Sequence, residues 1–395
     1  MTTAPTEPLR PKDTAELSKL LAGMYASATP VEVRGGNTKA WGHHSAHATA
    51  LDTTGISGIV EHSAADQTVR VGCGTRFSDL QAQLASAGQR VALDPPDRGG
   101  TATVGGVLAS GDHGPLRQRY GAGRELVIGA TFVLADGTVA KSGGQVIKNV
   151  AGLDLAKLLC GSLGTLGILS EVVLRVHPLP QASATLTMKA DAELATAAAL
   201  TAGRSVAEPC AIEWDGEAML FGFEGAAEGM AMRAEGLKAD LQAAGLGTGD
   251  LGELSPAAAE TAWGRLARSR EAPAGGICIR MAALPSRLAE LSAAAQKAAE
   301  IAGAEVALFS HAGLGLTDVV ATANEGGSVE ELLSQLRRLC SKVATSVVVR
   351  DRGWQGEPEI DLWGPRPDAA SVMAAVKRSL DPKGILAPGR FAPWW

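Results

Sequence analysis

Apolar side chains in the first part of the chain recur at helical spacing in some segments and at strand spacing in others. Residues 13–25 carry leucines three and four positions apart, which predicts a helix, and residues 77–88 predict another helix that ends at a glycine. Residues 31–33 and 68–74 alternate valine with polar neighbours, as half-buried strands do. This part of the chain therefore mixes helices and strands.

A hairpin pattern and a long strand follow. Residues 125–144 predict two antiparallel strands joined by a two-residue turn at Asp136-Gly137. A short helix near 155–159 and a β-branched strand over 168–176 come next. Two prolines then close the region, and we expect a domain boundary at residue 180.

Beyond residue 180 the pattern predicts a second domain of the α+β class, an antiparallel sheet with helices on one face. Its predicted strands lie at 184–188, 210–224, 276–282 and 304–321, and its predicted helices at 191–202, 227–244, 256–269, 286–302 and 329–343. A strand at 345–350 and a helix at 368–380 precede the C-terminus. The expected domain division is 1–12 as a disordered tail, 13–180, 181–349 and 350–395.

Two glycine-rich stretches interrupt these patterns. Residues 95–121 contain repeated glycines that would weaken an ordinary helix or strand, because glycine loses extra backbone entropy on folding. Residues 31–42 place a second glycine pair directly after a predicted strand, where successive backbone N–H groups can bind an anion such as phosphate. Neither stretch has the GxGxxG spacing, so a Rossmann dinucleotide site is the weaker interpretation.

Composition and charge exclude several function classes. The 395 residues carry a formal net charge of -6 and contain no basic block, which argues against nucleic acid as a partner. No apolar run is long enough for a membrane span, and we expect a cytoplasmic protein. The five cysteines are widely spaced and form no CxxC pair, so the sequence predicts no metal or iron–sulfur site in this chain.

Three stretches in this order, VRGGNT, TATVGG and GSLGTLGI, resemble the flavoproteins of the vanillyl-alcohol oxidase or PCMH type. The resemblance covers residues 13–180 and the DPKGILAPGR ending. It implies a two-subdomain FAD-binding domain, to which the C-terminal segment returns, followed by a smaller cap domain. Within the family the chain is most similar to the FAD-binding subunits of glycolate oxidase, which implies an FAD-dependent oxidoreductase.

The same resemblance assigns cofactor-binding residues on each stretch. The pyrophosphate would be held by Arg34, Gly35, Gly36, Asn37, Thr38, Thr103, Gly105 and Gly106. Residues Ser110 and Gly111 would lie near the isoalloxazine ring, and Gly161, Ser162, Thr165 and Ile168 would contact other parts of the cofactor. Many relatives link flavin to a histidine directly after the first double glycine. This chain has Asn37 there, and we therefore expect non-covalent FAD.

Candidate catalytic residues are less clearly marked. His113, in the sequence SGDHG, is a candidate to tune the flavin or to receive a proton, with a structural role as the alternative. Oxidation of a 2-hydroxy acid needs a cation for the carboxylate, and Arg280, on one predicted strand, and Arg350, at the end of another, could bind it bidentately, with surface pairing to an acid as the alternative. Near His311 the chain echoes the HxGDGNxH metal motif of the related catalytic subunit, but the aspartate and second histidine are missing.

Three functions remain open at this point. The first is an FAD-binding subunit of a glycolate (2-hydroxy acid) oxidase or dehydrogenase complex, working with a homologous catalytic flavoprotein and an iron–sulfur subunit, in the cytoplasm or at the inner face of the membrane through these partners. The second is a stand-alone FAD-dependent oxidase or dehydrogenase of an alcohol or sugar acid. The third is a non-catalytic interaction subunit of a flavoprotein complex.

Overall fold

The computed structural model describes residues 7–39, 41–144, 153–247, 249–268, 270–354 and 360–395. These residues form two compact units. The first unit comprises the described residues up to His113, together with Tyr120–Leu179 and Pro365–Trp395. The second comprises Gly114–Arg119 and Pro180–Gly364. Residues 1–6 of the predicted tail and residues 145–152 lie outside the described residues.

The elements up to residue 179 follow the predicted order closely. The helices are α1 Thr14–Ala26, α2 Phe77–Ala85, α3 Val104–Ser110, α4 Arg117–Tyr120, α5 Gly123–Leu126 and α6 Leu155–Leu159. The strands are β1 Val31–Arg34, β2 Thr49–Asp52, β3 Ile59–Ser63, β4 Thr68–Gly72, β5 Gln89–Arg90, β6 Val127–Val133, β7 Val139–Gly143, β8 Ile168–Arg175 and β9 His177–Pro178.

The described residues of the first unit form two main sheets and a short antiparallel pair, β5 with β9. The strands β1 and β2 pair in parallel, and Leu9 extends this small sheet by a parallel bridge to Leu51. The remaining long strands form an antiparallel sheet in the order β3-β4-β8-β6-β7. Leu9 lies within residues 1–12, which were expected to be a disordered tail, and this bridge attaches that part of the segment to the sheet.

Each main sheet of the first unit has its own hydrophobic core. Helix α1 packs Leu17 and Leu21 into a cluster with Val31 and Ile168, and Asp13 caps the helix by accepting from the Glu16 N–H. The five-stranded sheet packs against α2, α3 and α6 in a separate cluster. The C-terminal end of β1 lies beside the N-terminal end of α3. The first glycine-rich loop follows β1, and the second precedes α3.

The predicted hairpin is present, but its loop is longer than expected. The backbone N–H of Leu134 donates to the carbonyl of Thr138 at 2.9 Å, which leaves Ala135, Asp136 and Gly137 between the paired positions. Gly137 has φ of +88°, a conformation that favours glycine. The Asp136-Gly137 pair therefore marked the position of the turn correctly. The loop has three residues instead of two, because Ala135 is also part of it and Gly137 closes it in a left-handed conformation.

The second unit is built on one eight-stranded sheet. The strands are β10 Ala182–Lys189, β11 Ala211–Trp214, β12 Ala218–Gly225, β13 Gly252–Glu253, β14 Ile277–Ala282, β15 Ala304–His311, β16 Leu316–Ala323 and β17 Ser346–Arg352. The helices are α7 Ala192–Ala202, α8 Met230–Ala243, α9 Pro256–Arg268, α10 Leu288–Ala302 and α11 Val329–Leu339. The sheet order is β13-β10-β12-β11-β15-β16-β14-β17, and the pairs are antiparallel.

The two faces of this sheet differ. One face packs alternate residues such as Ile212, Ile279 and Val319 against the helices in a hydrophobic core. The other face carries Glu213, Arg280 and Asp318, which occupy the positions in between. Charged side chains therefore lie on the side of the sheet opposite the helix-covered core.

The chain returns to the first unit at its C-terminus. Helix α12, Ala370–Leu380, precedes a segment that runs parallel to β1 through a bridge between Val31 and Leu386. The N–H of Val31 donates to the carbonyl of Ile385 at 2.7 Å, and the N–H of Ala387 donates to the carbonyl of Val31 at 2.8 Å. The second unit extends to Gly364, whereas the expected boundary was residue 349, and β17 itself continues to Arg352.

Over the ranges that the structure describes, no helix is both long enough and apolar enough to cross a bilayer.

Candidate cofactor-binding site

A cleft in the first unit brings most of the predicted cofactor residues together. The predicted residues that line it are Arg34, Gly35, Gly36, Asn37, Thr38, Thr103, Gly105, Gly106, Ser110, Ser162 and Ile168. The other three predicted residues, Gly111, Gly161 and Thr165, are not among the residues that line the cleft. The cleft also exposes residues that the sequence analysis did not select, among them Glu32, Lys39, His44 and Arg390.

The first loop, residues 34–38, approaches the second so closely that side chains are excluded. A Cβ added to Gly36 would fall far inside van der Waals contact with the backbone carbonyl of Thr101, and one added to Gly35 would collide with the Thr103 hydroxyl. The Thr101 hydroxyl donates to the carbonyl of Gly36 at 3.2 Å. Asn37 then turns the chain with φ of +54°. Both glycines are therefore needed for backbone contact between the two loops.

This loop also offers donors that the protein does not use. Within the described part of the chain, the backbone N–H groups of residues 35–38 donate to no protein acceptor. Arg34 is exposed at the rim of the cleft, and its guanidinium forms no ion pair with any described residue. Several convergent N–H groups beside an unpaired guanidinium form a site that favours an anion.

The second loop contributes less to anion binding than its glycines suggested. Thr103 caps α3 by accepting from the Gly106 N–H at 3.2 Å. The N–H of Gly105 donates to the carbonyl of Cys73 at 2.8 Å, and a Cβ at this position would lie 2.9 Å from Cys73 Cβ. Gly105 therefore serves the packing of α3 against Cys73, while Gly106 presents a small surface to the cleft.

The third loop, residues 160–168, closes the C-terminal end of α3. The N–H of Gly161 donates to the carbonyl of Leu108 at 2.9 Å, and the N–H of Leu163 donates to the carbonyl of Ala109 at 2.8 Å. The Thr165 hydroxyl donates to the carbonyl of Ser162 at 2.7 Å. The polar groups expected of Gly161 and Thr165 are thus committed to the fold, whereas Ser162 keeps its position on the cleft wall.

Gly111 has a similar structural function. It ends α3 with φ of +65°, and its N–H donates to the carbonyl of Leu108 at 3.0 Å. The Ser110 hydroxyl donates to the carbonyl of Val107 at 3.2 Å while the residue itself lines the cleft. These two residues shape the surface after α3 mainly through the course of the backbone.

Two cationic side chains that line the cleft, Lys39 and Arg390, each form a buried ion pair. Lys39 Nζ lies 2.8 Å from Asp112 Oδ2, and both side chains are almost fully buried. Arg390 Nη2 donates to Glu32 Oε1 at 2.9 Å, and Arg390 Nη1 donates to the carbonyl of Trp41 at 2.8 Å. A lysine directly after VRGGNT was a visible signal for the first pair. Nothing local in the sequence links Glu32 to Arg390.

Glu32 is the carboxylate at the centre of the second pair. Burial alone would raise the pKa of Glu32, but the hydrogen bond with His44 and the positive charge of Arg390 outweigh it and hold the pKa below its usual range. His44 Nδ1 contacts Glu32 Oε1, and His44 Nε2 lies 3.3 Å from Arg390 Nη1. Glu32 is therefore ionised at neutral pH and fixes the Arg390 guanidinium on the cleft wall.

The candidate catalytic residues lie outside the cleft surface. His113 is 2% exposed at the end of the SGDH segment. Arg280 belongs to the second unit, where its Nε donates to Asp318 Oδ1 and its Nη2 donates to Asp318 Oδ2, each at 2.7 Å. Arg350 is half-buried and forms the extra residue of a β-bulge opposite Cys278 and Ile279. A substrate carboxylate would have to compete with Asp318 for Arg280.

His311 belongs to the same buried group of charges in the second unit. Its Nδ1 lies 2.7 Å from Glu213 Oε1, and its Nε2 lies 3.0 Å from Arg270 Nη1. Arg270 Nη2 donates to Glu213 Oε2 at 2.5 Å. In the ranges described, no group of three or more histidine, cysteine, aspartate or glutamate residues is placed to hold a metal. An arginine is the cation bound by Glu213 and His311.

Burial dominates the protonation of this group. It raises the pKa of Glu213 to about 7, although the charge of Arg270 opposes the shift. Burial, with the charges of Arg270 and Arg280, holds the pKa of His311 well below its ordinary value. Burial would raise the pKa of Asp318 as well, but the charge and hydrogen bonds of Arg280 lower it overall. His311 is therefore neutral, and Glu213 changes charge near neutral pH.

The cleft suits a dinucleotide that carries a pyrophosphate. The unused N–H groups of the first loop and the unpaired Arg34 provide the donors that two phosphates require. Apolar and small residues, including Val33, Ala109, Gly164 and Leu169, line the remainder and leave room for flat rings. The donor set therefore fits the cofactor implied by the three sequence stretches.

Comparison with protein families agrees with this geometry. Residues 7–143 match the FAD binding domain, and residues 365–391 match the C-terminal domain of FAD linked oxidases. The first and second loops of the cleft therefore lie in the segment that matches an FAD binding domain, which supports FAD as the cofactor. These two segments are similar to FAD-linked oxidases, in agreement with the resemblance of the loops, and together they cover less than half of the chain.

Individual relatives narrow the comparison. The glycolate oxidase subunit GlcE of Escherichia coli is 38% identical over 158 residues, which are 40% of this chain and 45% of that protein. GlcD of Bacillus subtilis is 31% identical over 46% of this chain and 39% of its own length. The mitochondrial D-lactate dehydrogenase (cytochrome) of Arabidopsis thaliana is 25% identical over 97% of this chain and 72% of its own. The match thus spans less than half of each glycolate oxidase subunit.

A solved structure reproduces the architecture over nearly the whole chain. An alkyldihydroxyacetonephosphate synthase superposes with a TM-score of 0.70 at 16% identity, covering 96% of this chain and 76% of that one. At this identity the similarity shows the fold, a mixed α+β architecture with antiparallel sheets.

Proposed function

We propose that this chain is the FAD-binding subunit of a glycolate (2-hydroxy acid) oxidase or dehydrogenase complex. The observation that carries the proposal is the anion-binding first loop with its unpaired Arg34, in a domain whose sequence is 38% identical to a glycolate oxidase subunit over 158 residues. The proposed partners are a homologous catalytic flavoprotein and an iron–sulfur subunit. The proposed location of the complex is the cytoplasm, or the inner face of the membrane if those partners bind there.

The residues of the cleft would divide the binding of FAD among them. Arg34 and the N–H groups of residues 35–38 would hold the pyrophosphate, with Thr38 adding a hydroxyl and Gly106 allowing close approach. Asn37 cannot form the histidyl link, so the cofactor would be held without a covalent bond. Bound FAD would supply the acceptor for the hydride that leaves the α-carbon of the hydroxy acid.

Onward electron transfer is the reason to propose partners. Electrons that leave a reduced flavin one at a time require a carrier such as an iron–sulfur cluster, which cysteine thiolates hold. The five cysteines of this chain are dispersed in sequence, and Cys73, Cys210, Cys278 and Cys340 are buried without disulfides. The carrier would therefore be supplied by a partner subunit.

A stand-alone dehydrogenase is the second candidate. The observation that favours it is the alignment with a D-lactate dehydrogenase over 97% of this chain. In that case His113, Arg280 or Arg350 would be the first residues to test for proton transfer and carboxylate binding. The buried Asp318 partner of Arg280 makes this arginine the weaker candidate for substrate contact.

Turnover by the isolated chain separates these functions. The FAD-loaded protein would be assayed with glycolate, with D-lactate and with an artificial dye acceptor, alone and after reconstitution with the flavoprotein and iron–sulfur subunits of its host. We expect turnover only in the reconstituted complex. Turnover above roughly one per second by the chain alone, within the ordinary range of complete enzymes, would instead support the stand-alone dehydrogenase.

A flavin-free variant completes the test. Gly36→Ala should reach the complex without FAD, because its Cβ would displace the first loop from the second. If the complex with this variant keeps full activity while assembly is unchanged, the chain is a non-catalytic interaction subunit and its flavin is dispensable. Loss of activity with intact assembly is the result that we expect.

A further inference from the structure

The C-terminal segment contacts the chain on both sides of the first loop of the FAD cleft through one buried arginine. The guanidinium of Arg390 reaches Glu32, the carbonyl of Trp41 and the ring of His44, which precede or follow the loop in sequence. The carbonyl of Arg390 in turn accepts from the N–H of His43 at 3.2 Å. The Arg390 side chain is 6% exposed and lines the cleft.

The same segment contacts the third loop through a buried lysine. Lys377, on α12, donates to the carbonyl of Thr165 at 2.8 Å and to the carbonyl of Leu386 at 2.8 Å. Asp381 completes this contact, because it accepts from Lys377 at 2.6 Å and from the N–H groups of Ile385 and Leu386. The Asp381 side chain is fully buried. The third loop and the C-terminal segment are thus fixed to each other.

One short stretch of chain consequently contacts both the residues that flank the first loop and the third loop. Between Lys377 and Arg390 the backbone pairs with β1 through Val31, so the stretch is itself fixed to the strand that leads into the first loop. We propose that residues 377–390 are a positioning element of the FAD cleft, with Lys377 and Arg390 as the positioning residues that set the affinity for FAD.

The physical reason lies in the donors of the first loop. Their N–H groups have no protein acceptor among the described residues, so the loop depends on its neighbours to keep these groups convergent. Without Arg390, the first loop is ordered in only a fraction of the molecules before FAD binds. The apparent affinity for FAD is then the intrinsic affinity multiplied by that fraction. The proposal rests on FAD binding by this cleft and is independent of the substrate.

The test compares Arg390→Met, Arg390→Lys and Lys377→Met in the full-length chain, stripped of flavin and titrated with FAD by flavin fluorescence. We expect the Kd for FAD to rise at least tenfold for Arg390→Met and Lys377→Met. The rise should be smaller for Arg390→Lys, which keeps the charge but loses the planar fork. Arg337→Met is the matched control, because Arg337 holds Asp361 in the second unit by the same kind of contacts.

Hydrogen exchange of the apo proteins distinguishes positioning from general destabilisation. Faster exchange confined to the hydrogen-bonded amides of Val31 and His43, which flank the first loop, with unchanged exchange in β4 and β8, is the expected signature. If Arg390→Met does not fold, Arg390→Lys and Lys377→Met carry the test. The proposal is wrong if these variants lower the unfolding temperature as Arg337→Met does but leave the Kd for FAD within twofold of the wild-type value.

Discussion

Lys39 Nζ lies 2.8 Å from Asp112 Oδ2, and this ion pair joins the first loop of the cleft to the segment that follows α3. Lys39 also donates to the carbonyl of Pro96 at 2.7 Å. The two side chains are 7% and 5% exposed. A charge buried to this extent is tolerated because its partner neutralises it. The pair therefore holds the two glycine-rich segments next to each other.

Replacing one member of this pair should destabilise the first unit strongly. Lys39→Met leaves the Asp112 carboxylate buried without its lysine, and we expect a loss of about 3–5 kcal/mol in the free energy of unfolding. The double variant Lys39→Met/Asp112→Asn should recover part of this loss. Denaturant unfolding of the wild type, Lys39→Met, Asp112→Asn and the double variant measures the coupling between the two side chains. Strictly additive losses in the free energy of unfolding would show that the two residues do not act as a pair.

Glycine at position 36 should be required for FAD binding. An added Cβ would overlap the carbonyl of Thr101, so Gly36→Ala must separate the first and second loops. We expect the purified variant to contain little or no flavin. Gly23→Ala is the matched control, since nothing lies within 4 Å of its added Cβ on α1, and it should keep FAD and gain about 0.5–1 kcal/mol of stability. Equal flavin content in both variants would place the cofactor elsewhere.

Arg34 should contribute to binding and little to folding. It is exposed and makes no ion pair with the residues that the structure describes, whereas a charge-assisted hydrogen bond to phosphate is worth about 1.5–3 kcal/mol. We expect Arg34→Met to raise the Kd for FAD at least about tenfold without a change in unfolding temperature. Arg175→Met removes another exposed arginine of the first unit, at the end of β8, and should leave the Kd unchanged. A Kd that responds equally to both changes would indicate only a general effect of charge.

Glu213 should make the stability of the second unit depend on pH. Its pKa is about 7 when folded and near 4.5 when exposed, so the folded state binds more protons between these values. Stability therefore falls as pH rises from about 4.5 to 7, with a slope that approaches about 1.4 kcal/mol per pH unit. Glu213→Gln should flatten this slope, although it also weakens the contact with Arg270.

The control for this pH dependence is Glu305→Gln, which changes an exposed glutamate on the same sheet. Unfolding temperatures of the wild type and both variants across pH 5–8 provide the comparison. A slope that Glu213→Gln leaves unchanged would mean that other groups cause the pH dependence.

Local patterns predicted the elements well, because spacing and glycine or proline punctuation are sufficient for amphipathic helices and strands. Helix α1 and strand β8, for example, lie within about a residue of their predicted positions. The pattern could not show that Leu134 and Thr138 would pair and lengthen the hairpin loop. That outcome depends on how Gly137 packs beside Ser18 and Ala22 of α1, which is a tertiary contact.

The cleft was predicted in outline for a similar reason. The glycines of the first loop are recognisable because no other residue fits there, but the same argument overestimated Gly105 and Gly161, whose N–H groups bond to protein carbonyls. The supporting charges were missed altogether. Glu32 and Arg390 are 358 positions apart, and a single sequence contains no information on which of its many charges will meet at that distance.

The state of the flavin in the purified chain tests the central claim most directly. We expect a yellow protein that, after acid precipitation, releases intact FAD into the supernatant in about equimolar amount and leaves a colourless polypeptide. The reasons are the anion-binding first loop and Asn37 in place of a linking histidine. Flavin that stays on the denatured polypeptide would contradict non-covalent binding. A colourless protein that FAD cannot reconstitute would contradict the cleft itself.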